Sequence, residues 1–159
     1  MEGPTTRALA EYIANAKFSD LPPSVVAHTK LFVLDTLGVG IYGAGLPWSE
    51  RLRATAQAME AGGKAAVWCT PLNFSAPTAA MINATAVHAF ELDDIGPGGH
   101  NGSVTLGSAL ALAPHTQLSG KALINALLVG IETAARVNRC VGRVPHEGLG
   151  FHEIGRAHV

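Results

Sequence analysis

The sequence predicts an all-α chain with at most one short extended segment. Three observations lead there. Apolar residues recur at helical spacing through most of the 159 residues. Proline, glycine and short polar clusters punctuate those runs where helices would start and stop. The composition is 48% hydrophobic but only 6% aromatic, and rich in Ala and Gly. That mix suits closely packed helices, because small side chains let backbones approach. The length fits one domain able to bury a core, and no internal repeat, linker or internal boundary is evident.

Taken in order, Thr5 or Thr6 can cap a first helix through Phe18, with Leu9, Tyr12, Ile13 and Ala16 on one stripe. The run Ser19-Asp-Leu-Pro-Pro-Ser24 breaks it and opens a second helix towards Gly45, proline being tolerated in a first turn. Val26, Leu31, Val33, Leu34, Leu37 and Ile41 make that helix apolar almost all round, which predicts burial among other helices. Its tail, with glycines at 38, 40, 43 and 45, spells a GxGxxG but follows a helix rather than a strand, against a dinucleotide site. Pro47 to Ala61 reads as an exposed helix carrying Glu50, Arg51, Arg53 and Glu60, closed by Gly62-Gly63. Lys64 to Cys69 is the short extended piece. Helices are expected from Ser75 to about Leu92, from Ser103 to Gln117, and from a Ser119 cap through Arg143. The last should bury Ala122, Leu123, Ala126, Leu127, Gly130, Ile131, Ala134 and Val137, with Glu132 paired to Arg136 at i+4. From Gly142 the chain reads as loop.

A net charge of -1 without Lys/Arg clusters argues against nucleic acid and anionic membrane as partners. The most apolar stretch, Leu31 to Leu46, contains Asp35 and four glycines, and is expected to be too short and too polar to span a bilayer. Glu2, Arg7 and Glu11 occupy positions where a signal peptide would be apolar. Cys69 and Cys140 form no CxxC, which predicts two buried thiols in a reducing compartment, by default the cytoplasm.

Chemistry concentrates between His88 and Ser103. His88-Ala-Phe-Glu-Leu-Asp-Asp94 is followed by Pro97-Gly-Gly-His-Asn-Gly-Ser103, in a chain with only 14% charged residues. Acids and imidazoles are costly to bury unless paired or used. On a continuous helix His88, Glu91 and Asp94 would point the same way. A solvated helix end is the bland alternative, although acids there oppose the helix dipole. His100 lies just before a helix start, where free N–H groups favour an anion such as a carboxylate; a simple loop histidine is the alternative. His146 and His152 flank Glu147-Gly-Leu-Gly-Phe151 without zincin spacing. A mixed metal site of His88, Asp93, His100 and His152, serving a metal-dependent hydrolase, is one rival; a non-enzymatic helical interaction module is another. His28 and His115 have no companions.

The order of these pieces resembles the MmgE/PrpD family, which includes 2-methylcitrate dehydratase and cis-aconitate decarboxylase. The resemblance is carried by Leu9-Ala-Glu-Tyr-Ile13, Phe18-Ser-Asp-Leu-Pro-Pro23, Lys30-Leu-Phe-Val-Leu-Asp-Thr-Leu-Gly38, Ala80 through Asp94, His100-Asn-Gly-Ser103, Ala109-Leu-Ala-Leu-Ala113 and Gly148-Leu-Gly-Phe-His152. It implies the N-terminal part of a large helical domain, in a lyase needing no cofactor and no metal, usually a homodimer acting on di- and tricarboxylates. Dehydration of a 2-methylcitrate-like substrate is the first expectation; decarboxylation and epimerisation are alternatives. It also implies His100 and His152 as an acid/base pair, with Glu91 and Asp94 as the accompanying acids. Asp93 and Ser103 are expected as substrate contacts, the helix start at Ser103 helping to hold a substrate carboxylate. The typical family motif reads Asp-x-Asp-Asp-Thr, then His-Pro. Here Glu91 replaces the first acid, Ile95 the threonine, and Asn101 the proline.

The resemblance runs to residue 152, where the family pattern would continue. Residues 153–159, Glu-Ile-Gly-Arg-Ala-His-Val, can be written GAG ATC GGA AGA GCA CAC GTC, the start of a common short-read sequencing adapter. They are expected to be translated adapter on a fragment, so Arg156 and His158 carry no functional argument. Such a fragment should expose apolar patches and lack activity. Long-read resequencing across codon 152 checks this: an open frame in place of the heptapeptide is the expected result.

Overall fold

Proline opens three of the six helices. In the computed structural model, which describes residues 5–96 and 99–141, Pro23, Pro47 and Pro77 each occupy a first helical turn, where a missing N–H is harmless. The order is α1 (Thr5–Asn15), a 3-10 turn (Phe18–Asp20), α2 (Pro23–Ala44), α3 (Pro47–Met59), β1 (Ala65–Ala66), β2 (Asn73–Phe74), α4 (Ala76–His88), α5 (Asn101–Leu112), a second 3-10 turn (Ala113–His115) and α6 (Gly120–Val141). The all-α expectation therefore holds. The extended piece is β1, and it needs the partner β2 that the sequence did not suggest; Ala65 faces Phe74 and Ala66 faces Asn73 in an antiparallel pair. His146, His152, the loop from Gly142 and residues 153–159 lie outside the described residues.

The centre of the fold is α4, packed between α2 and α5. Ala79, Ile82, Ala86 and Val87 of α4 are buried, with Leu106 and Ala111 of α5 and Leu127 of α6. The small hairpin closes one end, its Val67 and Phe74 joining Ala56 and Ile82 in the core. Asn83, buried in α4, locks it there: the amide oxygen accepts from Trp68 N–H at 3.0 Å and the amide nitrogen donates to Ala66 C=O at 3.0 Å. Glu60, expected on an exposed helix, instead receives Ser75 N–H at 2.7 Å and the Ser75 and Thr78 hydroxyls at 3.0 and 2.8 Å. These bonds, the Ser75 backbone first, hold its carboxyl below the usual range. An acid at the start of α4 is also where the helix dipole favours one.

Glycine sets how closely α2 meets its neighbours. A Cβ on Gly43 would collide with the Ala86 carbonyl, and one on Gly40 would sit 2.8 Å from the Trp68 ring. The GxGxxG spelling is thus a packing face inside a helix, as its position after a helix indicated.

Several expectations need correction. The face that α2 buries consists of Thr29, Thr36, Gly40, Gly43 and Ala44, whereas Leu31, Leu34 and Ile41 are 62%, 68% and 58% exposed. Burial all round fails because, among the described residues, the close approach is made on the small-residue side. The helix is also longer than the apolar stretch within it, and by length and composition alone it could cross a bilayer. Both cysteines are exposed, Cys69 in the hairpin turn at φ 59° and Cys140 on the outside of α6. On α6, Leu127 and Ala135 are buried but Ala122, Ala126 and Val137 are exposed; the Glu132–Arg136 pair forms at 2.6 Å.

The α2–α4 contact yields a paired prediction. Gly43→Ala should lower the unfolding free energy by about 2 kcal/mol or more through overpacking. Gly38→Ala, at a helical position with nothing within 4 Å of the new Cβ, should raise it by roughly 0.5–1 kcal/mol. Urea midpoints of the two variants check the contrast.

Candidate active site

The helix expected to run to Leu92 stops at His88. Ala89 and Phe90 form a turn, and Glu91 adopts the left-handed region at φ 53°, which is uncommon for a side chain larger than Asn. The reversal sends Glu91 outwards and brings Asp93 back under the end of α4. His88, Glu91 and Asp94 therefore do not share a helix face. Glu91 is exposed, and its side chain has no hydrogen bond or ion pair among the described residues.

Asp93 is the centre of the cluster. Its side chain is fully buried; Oδ1 accepts from His88 Nδ1 at 3.0 Å and lies 3.2 Å from His100 Nδ1. The two imidazoles meet edge to face at 4.3 Å between centroids, with side chains 8% and 13% exposed. An ionised carboxylate only accepts, so His88 Nδ1 is the donor of this pair. Asp93 Oδ2 is buried with no hydrogen-bond partner among the described residues.

Asp94 does a different job. Its Oδ1 accepts from Gly102 N–H at 2.7 Å and its Oδ2 from Asn101 N–H at 3.2 Å, so it occupies the N-terminus of α5. Gly102 permits this, since a Cβ there would lie 2.6 Å from both Asp94 Oδ1 and Thr36 Oγ1. Burial pushes the Asp94 carboxyl above its ordinary 3.8, with the charge of Asp93 adding to the rise; the two backbone bonds and His100 act against it. Gly96 and Gly99 exchange two backbone hydrogen bonds of 3.0 Å, closing the loop that delivers His100 to Asp93.

Ser103, expected to help hold a substrate carboxylate, is buried and donates its hydroxyl to His100 C=O at 2.9 Å. The helix N-terminus foreseen as an anion site already holds the protein's own carboxylate. Of the residues expected in the site, the structure thus gathers Asp93, Asp94, His100 and Ser103, and leaves Glu91 outside. It adds His88 as a direct partner of Asp93, together with Thr36 and Gly102 as supports. Spacing alone gave no sign of Thr36, which comes from α2; the left-handed turn that allows the His88–Asp93 pair is equally invisible to a periodicity.

The family model of the MmgE/PrpD N-terminal domain matches residues 7–158. The chain belongs to the MmgE/PrpD family. It is 29% identical over 160 residues to a cis-aconitate decarboxylase-like protein, oryM, of Aspergillus oryzae, covering 95% of this chain and 33% of that protein. It is 27% identical over 143 residues to cis-aconitate decarboxylase of Aspergillus terreus, covering 86% and 29% respectively. The Mus musculus cis-aconitate decarboxylase is 31% identical over 140 residues, 83% of this chain and 28% of the relative. The chain spans about a third of the length of these relatives. No solved structure matches it significantly.

The raised pKa of Asp94 gives a pH prediction. The folded carboxyl keeps its proton to higher pH than the unfolded one. Its contribution to stability is fully present below the unfolded value near 3.8 and is lost as pH rises through the folded value. Asp94→Asn removes this titration. The wild type should therefore lose stability relative to Asp94→Asn as pH climbs from about 3 to about 7. Denaturant titrations across that range check it; a gap independent of pH would contradict the assignment.

Proposed function

We propose that the whole protein is a lyase acting on a di- or tricarboxylate, and that this chain carries part of its acid–base machinery. The observation behind this reading is a pair of imidazoles gathered on one fully buried carboxylate, Asp93. Imidazole can give or take a proton near neutral pH, and a fixed carboxylate beside it holds the ring in one orientation.

The names of the relatives favour decarboxylation over the dehydration that the sequence put first. Decarboxylation breaks the bond from the carbon framework to a carboxyl carbon, which leaves as carbon dioxide. The electron pair left on the framework is taken up by a proton delivered to carbon. Dehydration would need a base to remove a proton next to a carboxylate and an acid to protonate the departing hydroxide. His100 is the proposed proton carrier in either case, with His152 as its counterpart. Asp93 orients His100, while Asp94 acts at one remove by fixing the start of α5. Glu91 is exposed at the outer edge of the loop, within reach of a substrate arriving from solvent.

In the whole protein, His100→Ala should lower kcat/KM for cis-aconitate by at least about 100-fold, the usual worth of acid–base catalysis. Carbon dioxide release and water loss, followed side by side on cis-aconitate and 2-methylcitrate, separate the two reactions. An unchanged kcat/KM would remove His100 from the chemistry. Turnover of 2-methylcitrate alone would restore dehydration.

A further inference from the structure

We infer that His88, Asp93 and His100 also form a binding site for a divalent transition-metal ion of the zinc class. One donor atom from each residue lies within 4.8 Å of the other two. Two imidazoles and a carboxylate are a donor set that zinc takes in three-ligand sites, with the fourth position open to water or substrate. A tetrahedral site with ligand bonds of about 2.0–2.1 Å sets its donors roughly 3.3 Å apart. Asp93 Oδ1 stands 3.0 and 3.2 Å from the two Nδ1 atoms, close to that separation, and the two rings would turn from Oδ1 towards the ion to admit it.

A second observation points to a cation. Asp93 has 0% side-chain exposure, and its Oδ2 lacks a hydrogen-bond partner among the described residues. A buried carboxylate oxygen left unmet is unfavourable, and a cation held at the carboxylate would offset it. Asp94 adds a second carboxylate next to the cluster, and no Lys or Arg pairs with either acid among the described residues. The scaffold is already set: His88 ends α4, and His100 is fixed by the Gly96–Gly99 bridge and the Asp94-bound start of α5. Both imidazoles keep some exposure, which gives the ion a way in.

Such an ion and the proposed acid–base role would compete for the same nitrogen. A metal on His100 Nδ1 takes the lone pair there and leaves the ring its one proton on Nε2, so neither nitrogen can accept a proton and occupancy would silence the site. The binding claim rests on the cluster geometry and not on the lyase reading, and uptake of the ion is measured without any substrate.

The test is titration of the whole protein with Co²⁺, followed by visible absorption, then displacement by Zn²⁺ in calorimetry. One equivalent should bind with the spectrum of a four- or five-coordinate ion. Asp93→Asn and His88→Gln should each weaken it by more than the roughly 10–100-fold that losing an outer hydrogen-bond partner costs, while His28→Gln and His115→Gln leave it unchanged. Far-UV circular dichroism confirms that each variant is folded, and His88→Gln decides the matter if Asp93→Asn is not. Absence of stoichiometric uptake, or uptake that survives His88→Gln, would overturn the proposal.

Discussion

The carboxylate of Asp94, held by the first N–H groups of α5 where Gly102 faces Thr36 of α2, is the contact on which the rest of the site depends. A helix start buried without partners for its N–H groups is unfavourable. Here a loop residue supplies the acceptor, and the loop is thereby pinned at both ends. With Asp94 anchored, its neighbour Asp93 points the other way, towards the end of α4. His88 and His100 then converge on it from the last residue of one helix and the residue preceding the next. Capping and chemistry are consecutive residues of one strand of loop.

That arrangement works only because α2 comes close. Thr36, Gly40 and Gly43 form a thin face that lets α2 lie against α4 and the start of α5. Thr36 turns its hydroxyl back to Phe32 C=O at 2.8 Å, so a polar residue is buried at this contact without an unmet donor. The side chains that look most hydrophobic, Leu31, Leu34 and Ile41, stand on the other side of the helix and contribute little to this core. Small residues decide the approach, and the large ones are left for another surface.

Two neighbouring acids with different tasks also explain the local electrostatics. Burial and the nearby Asp93 charge raise the Asp94 carboxyl, while its backbone bonds and His100 draw it down. Among the described residues, Asp93 is met by the imidazoles of His88 and His100. A carboxylate so placed can orient an imidazole for proton transfer or help hold a cation. The proposed catalytic and metal-binding states are alternatives of one cluster.

The sequence by itself determined the helical class, the proline-marked helix starts, the Glu132–Arg136 pair and the stretch where chemistry concentrates. Those follow from properties local to a few turns: apolar spacing, proline at N1, charges four residues apart. It also carried the family, through ordered motifs. Tertiary structure alone decided the rest. Whether Ser75 continued as helix to Leu92 or stopped at His88 depended on a left-handed Glu91 that a propensity does not reveal. Which face of α2 is buried depended on what lies opposite it, and hydrophobicity named the wrong one. Ser103 and the α5 N-terminus looked like an anion site until the fold filled it with Asp94. Local rules name the groups that need partners; only the approach of distant segments settles which partners they receive.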